Sequence, residues 1–79
     1  MAFFAFVWIS SVVEKLAERD ISPDEVEAII TNPEGQDASR STGLPVALGH
    51  LADGLFFIVV YRWIDQATLQ PITAYEVPE

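Results

Sequence analysis

The pattern of apolar and polar positions peaks in Leu55-Phe56-Phe57-Ile58-Val59-Val60-Tyr61-Arg62-Trp63, a run that is almost wholly β-branched and aromatic. Such residues suit a pleated surface packed on its faces. Asp53-Gly54 precedes the run and is a strong hairpin signal. Leu44 to Leu51 reads as a strand on one side, with Val46, Leu48 and His50 on one face, and Leu69 to Val77 reads as a strand on the other. Pro45 and Pro71 mark these two as edge strands, which leaves Leu55–Trp63 in the centre. Met1 to Trp8, with Phe3, Phe4, Phe6 and Trp8, is expected to add a fourth strand.

Between the first strand and the sheet the period changes from two to about 3.6. Val12, Val13, Leu16 and Ala17 recur at helical spacing, and Ser11 followed by Glu14 has the spacing of a capping box. Asp20-Ile21 interrupts the run. A second helix is expected from Ser22 as N-cap, with Pro23 at its first position and Glu25 completing a second capping box. Ile21 and Val26 are spaced for a hydrophobic staple, Val26, Ile29 and Ile30 form a buried stripe, and Asn32-Pro33 ends the helix. Residues 33–43 form a polar loop rich in turn formers. The expected fold is α+β, a single domain over residues 1–79, with two short helices packed on one face of a three- to four-stranded antiparallel sheet in the order β-α-α-β-β-β.

That architecture raises a difficulty. Two helices of this length cover one face of a sheet, yet the central run is apolar on both: Leu55, Phe57, Val59, Tyr61 and Trp63 on one, Phe56, Ile58 and Val60 on the other. An antiparallel sheet facing water is polar on its wet side. The second face is therefore expected to pack on something outside the helical layer, a twofold mate or a partner protein.

Charge narrows the partners. Lys15, Arg19, Arg40 and Arg62 face twelve carboxylates, for a net charge of −8, which disfavours RNA or DNA unless the cations cluster. There is no cysteine, hence no disulfide, and one histidine with scattered carboxylates gives no recognisable metal site. No cofactor is implied. The apolar start lacks the basic segment and cleavage site of a secretory signal, and it breaks at Ser10-Ser11, too soon to span a membrane. The expectation is a cytoplasmic protein without a membrane segment.

Candidate chemistry is sparse. Arg40, flanked by Ser39, Ser41 and Thr42 and near Gly43, either binds a phosphate or carboxylate or pairs with Asp37 or Glu34. His50 is either a general acid or base near neutral pH or a strand-end residue. Tyr61, Arg62 and Tyr75 either share a site or serve as sheet packing with Arg62 exposed. The candidate catalytic set is Arg40, His50, Tyr61, Arg62 and Tyr75.

Several segments together resemble the small BrnT-type proteins: Phe6-Val7-Trp8, Val13-Glu14-Lys15-Leu16-Ala17-Glu18-Arg19, Ile21-Ser22-Pro23-Asp24-Glu25-Val26, Asn32-Pro33-Glu34, Gly49, Ala52-Asp53-Gly54, Val59-Val60-Tyr61 and Pro71-Ile72-Thr73-Ala74-Tyr75-Glu76. The resemblance implies a RelE/ParE-superfamily fold. It also implies membership of a toxin–antitoxin pair, in which the toxin is a ribonuclease inhibited by a DNA-binding antitoxin. The family pattern carries basic residues after the hairpin glycine, before the first sheet strand and in the last strand, where this chain has Leu55, Leu44 and Tyr75-Glu76. Metal-free RNA cleavage needs cations around the scissile phosphate. Three readings follow: a BrnT-like protein acting mainly by binding a cognate antitoxin, a metal-independent ribonuclease toxin in which Arg40 or Arg62 holds phosphate and His50 or Tyr61 moves a proton, and a non-catalytic homodimeric domain.

Overall fold

The computed structural model describes residues 5–78. The expected first strand lies partly outside them, and its described part is β1 (Ala5–Phe6). There follow α1 (Ser10–Glu18), α2 (Pro23–Thr31), β2 (Gly35–Ala38), β3 (Pro45–His50), β4 (Phe56–Trp63) and β5 (Thr68–Glu76). All the strands belong to one five-stranded sheet in the order β1-β5-β4-β3-β2. The fold is α+β, and β4 lies at the centre, as its apolar, proline-free sequence requires.

Two expectations about the sheet are corrected. The sheet is mixed rather than antiparallel, because β1 runs parallel to β5, pairing Ala5 with Thr68 and Phe6 with Leu69. The stretch 33–43 is not all loop, because β2 pairs antiparallel with β3 from Gly35↔Leu48 to Ala38↔Pro45. Gly-Gln-Asp-Ala carries no apolar alternation, so nothing in its pattern marks a strand; ladder hydrogen bonds to β3 make it one. Its first residue packs tightly on β3: a Cβ on Gly35 would come within 3.2 Å of Leu48 Cδ1, so a larger residue there requires the Leu48 side chain to shift.

The prolines also sit differently. Pro45 does not mark an edge; it opens β3, an inner strand, where a missing N–H is tolerated. Pro71 lies in β5 at the register shift between Val60 and Tyr61, beyond the last β1 pairing at Leu69. A bulge and an outer edge without a strand neighbour are both places where proline removes no ladder hydrogen bond. Arg19, just after α1, covers part of that edge: its Nη1 donates to the Ala74 carbonyl at 2.7 Å and to Thr73 Oγ1 at 3.1 Å.

The two helix starts differ. At α2 the capping box forms as its sequence predicts: Ser22 Oγ accepts the Glu25 N–H at 3.2 Å and Glu25 Oε1 accepts the Ser22 N–H at 2.9 Å. At α1 it does not. The helix begins at Ser10 with Ile9 in the capping position, so Ser11 is already inside the first turn and caps nothing. The end of α1 is well closed: Ile21 N–H donates to Leu16 O and Asp20 N–H to Ala17 O, with Asp20 left-handed at φ 58°. This is a Schellman motif, and its apolar partners Leu16 and Ile21 are both buried.

The core lies between the helices and one face of the sheet. It joins Leu16, Ile21, Val26, Ile29 and Ile30 to Ala47, Leu51, Phe57, Val59, Tyr61, Leu69 and Ala74. α2 approaches β3 closely at Gly49, where a Cβ would meet Ile29 side-chain carbons at 3.3 and 3.4 Å. Trp8 joins the rim of this core and donates from Nε1 to Glu27 Oε2 at 2.7 Å, tying the chain after β1 to α2. Among the described residues no helix is long and apolar enough to cross a membrane.

Unequal costs are expected from like substitutions. Ser22→Ala removes a working cap and should cost about 1 kcal/mol, whereas Ser11→Ala should stay within about 0.5 kcal/mol. Leu16→Ala should cost about 2–5 kcal/mol. Urea unfolding followed by circular dichroism measures all three.

Candidate functional site

Strand alternation and register decide what the other face of the sheet displays. Ile58 pairs with Leu48 on one side and Tyr75 on the other, Val60 with Val46 and Thr73, and Phe56 with His50. Cross-strand partners share a face, so these residues form a surface turned away from the helices. Val46 and Val60 are buried there by their neighbours, Leu48, Phe56 and Ile58 are partly exposed, and Tyr75 is 44 % exposed. This is the two-sided apolar character that the sequence of β4 predicts, and among the described residues no second layer covers it.

The hairpin between β2 and β3 places Arg40 beside this face. Ser39 N–H donates to Leu44 O and Gly43 N–H to Ser39 O, each at 2.7 Å, and Thr42 Oγ1 accepts the Leu44 N–H at 3.2 Å. Gly43 adopts φ 74°, a left-handed conformation suited to glycine. The tight turn borders a depression of about 460 Å³ lined by Asp37, Arg40, Val46, Leu48, Ile58 and Tyr75, with the hydroxyls of Ser39 and Ser41 3.3 Å apart at its edge. Neither expected pairing of Arg40 forms. Asp37 Oδ1 accepts the neighbouring Ala38 N–H at 2.8 Å, and Glu34 is engaged by His50.

Glu34 and His50 make a close side-chain pair, ionic when the imidazole is protonated. The carboxylate accepts the backbone N–H of His50 at 2.7 Å and lies 2.8 and 2.9 Å from Nδ1. An ionised carboxylate can only accept, so it selects the protonated Nδ1. The side-chain hydrogen bond from His50, followed by the backbone one, holds the Glu34 carboxyl below its ordinary value. The imidazole also packs against Phe56, with ring centroids 4.8 Å apart. The pair stands at the mouth of a second cavity, about 620 Å³, between α2 and the end of β3.

The five candidate residues therefore do not share a centre. Arg40 and Tyr75 meet at one depression. His50 is four residues along β3 from Val46, a span of about 13 Å at strand rise. Tyr61 lies in the core on the helical side, where burial pushes its phenol up. Arg62 follows on the opposite face, and its Nε donates to Gln70 Oε1 at 2.9 Å. Sequence reading did not find Glu34 as the partner of His50; the signal available was weak, a carboxylate directly after the helix-ending Asn32-Pro33. Among the described residues no group of three or more histidines and carboxylates is placed to hold a metal ion. No family model matches the chain, and neither a curated protein nor a solved structure matches it.

The Glu34–His50 contact has a defined pH signature. A carboxyl whose folded pKa is depressed adds stability above its ordinary value near 4.5 and loses that stability as pH falls through the folded value. The stability difference between the native chain and Glu34→Gln should be present at neutral pH and vanish in acid. Urea midpoints measured from pH 7 down to about pH 3 check it, and a difference that stays constant would refute the contact.

Proposed function

We propose that the chain is a BrnT-like cytoplasmic protein of a toxin–antitoxin pair that acts mainly by binding a protein partner through the sheet face opposite the helices. One observation carries the reading: Leu48, Ile58 and Tyr75 form an apolar surface beside Arg40, continued along β4 by Phe56, with no layer over it among the described residues. An apolar centre with an arginine and an exposed tyrosine has the composition of a protein-binding surface. The resemblance in the helical pair and the central hairpin supplies the class of partner, a DNA-binding antitoxin.

A ribonuclease needs a cation and a proton-transfer group within hydrogen-bond reach of one phosphate. The scattered positions of Tyr61, Arg62 and His50 relative to Arg40 favour binding over that chemistry.

Expression in a bacterial host and tagged capture from the native host test the proposal together. No growth arrest is expected, and a small ribbon-helix-helix protein should co-purify with the chain. Arrest accompanied by RNA cleavage, both lost in Arg40→Gln, would establish the nuclease instead.

A further inference from the structure

Charge is distributed unevenly between the two sides of the sheet. The helical layer carries Glu14, Glu18, Asp24, Glu25 and Glu27, with Asp20 between the helices, against Lys15 and Arg19. The open face carries Arg40 and Arg62 against Asp37, with Glu34 and His50 paired at its corner; Asp53 and Asp65 lie in the turns before and after β4, and Glu76 alternates to the helical side of β5. A chain of net charge −8 thus presents one side on which charges nearly balance, and that side is also the apolar one.

We propose that this face closes on the same face of a second copy of the chain, about a twofold axis through the depression beside the β2–β3 turn. Arg40 of each protomer then meets Asp37 of the partner subunit. The inference rests on the reading of the open face as a protein-binding surface and names the occupant that face takes when no antitoxin is bound, so that the two partners compete for it. A twofold interface must be self-complementary: whatever one residue meets, its counterpart meets in return. Arg40 and Asp37 border the same depression without pairing with each other, so the axis gives each charge an opposite one twice over. Leu48 and Ile58 line the depression between them and would be covered at the middle of the interface. Face-to-face sheets lie about 10 Å apart, and each helical layer stands about 10 Å further out. The acidic helices of the two protomers would be separated by roughly 30 Å, well beyond the screening length of about 8 Å at physiological salt. Their repulsion does not oppose the association. Any pairing that placed the helical layer of one copy near the other would be opposed.

Sedimentation velocity over a range of concentrations tests this with three proteins: the native chain, Arg40→Asp and Asp37→Arg. The native chain should dimerise. Each variant places like charges at both contacts and should dimerise at least about tenfold more weakly. An equimolar mixture of the two variants should recover the association, because one contact is then the native pair and the other is the same pair reversed. Circular dichroism confirms that each variant is folded, and Ile58→Lys supplies a second route to the monomer. A native chain that stays monomeric overturns the proposal, and so does a dimer that neither charge variant weakens or that mixing fails to restore. A monomer that still captures a ribbon-helix-helix protein would overturn the dimer alone. A restored mixed dimer with no such protein captured would retire the antitoxin reading and leave the dimer standing.

Discussion

Two helices of nine residues each can bury one side of a five-stranded sheet and no more. Most of the structure follows from that limit. The side they cover takes Phe57, Val59, Tyr61, Ala47, Leu69 and Ala74, and it is closed by Leu16, Val26, Ile29 and Ile30 from above. Gly49 lets α2 settle close to β3, and the Schellman turn at Asp20 lets the second helix follow the first without leaving the sheet. The side they leave is set by the same strands. Period-two alternation sends the residues between the core ones to the opposite face, and in β4 those residues are Phe56, Ile58, Val60 and Arg62.

The two faces also divide the electrostatics. Carboxylates gather on the helical layer, where solvent keeps their mutual repulsion small, and the open face keeps two of the four cations. An acidic protein can in this way hold a nearly neutral apolar surface. Arg19 shows the other use of a cation here, as a cover for the outer edge of β5 at Ala74 and Thr73. Edge carbonyls capped by a guanidinium are poor templates for adding a foreign strand.

What the sequence revealed and what it hid have separate physical causes. The central place of Leu55–Trp63 was legible because a buried strand needs a continuous apolar run, and few other structures use one. The start of α2 was legible because Ser22, Pro23 and Glu25 act locally, within one turn. The failed cap at Ser11 depended on where the chain leaves β1, which no local spacing records. β2 was illegible because its four residues have no preference of their own and become a strand by pairing with Leu48, Ala47, Val46 and Pro45. The parallel pairing of Ala5 and Phe6 joins residues from opposite ends of the chain and leaves no mark in either. The candidate site was legible as residue types but not as an arrangement, because whether Arg40 meets Tyr75, or His50 meets Glu34, is decided by register and by the hairpin turn.

The pairing of β1 with β5 has a consequence for how the molecule comes into being. Residues near the start of the chain find their sheet neighbours only in its last strand, and the Arg19–Ala74 hydrogen bond joins groups 55 residues apart in sequence. Contacts of such long range form slowly, since the loop they close must be ordered before they repay it. A chain emerging from the ribosome can assemble its helices and the hairpin of β3 and β4, but it cannot settle β1 or cover the free side of β4 until β5 has been released. Until then β4 offers an unpaired apolar edge, so synthesis itself sets the interval during which this small protein is most exposed to misassociation.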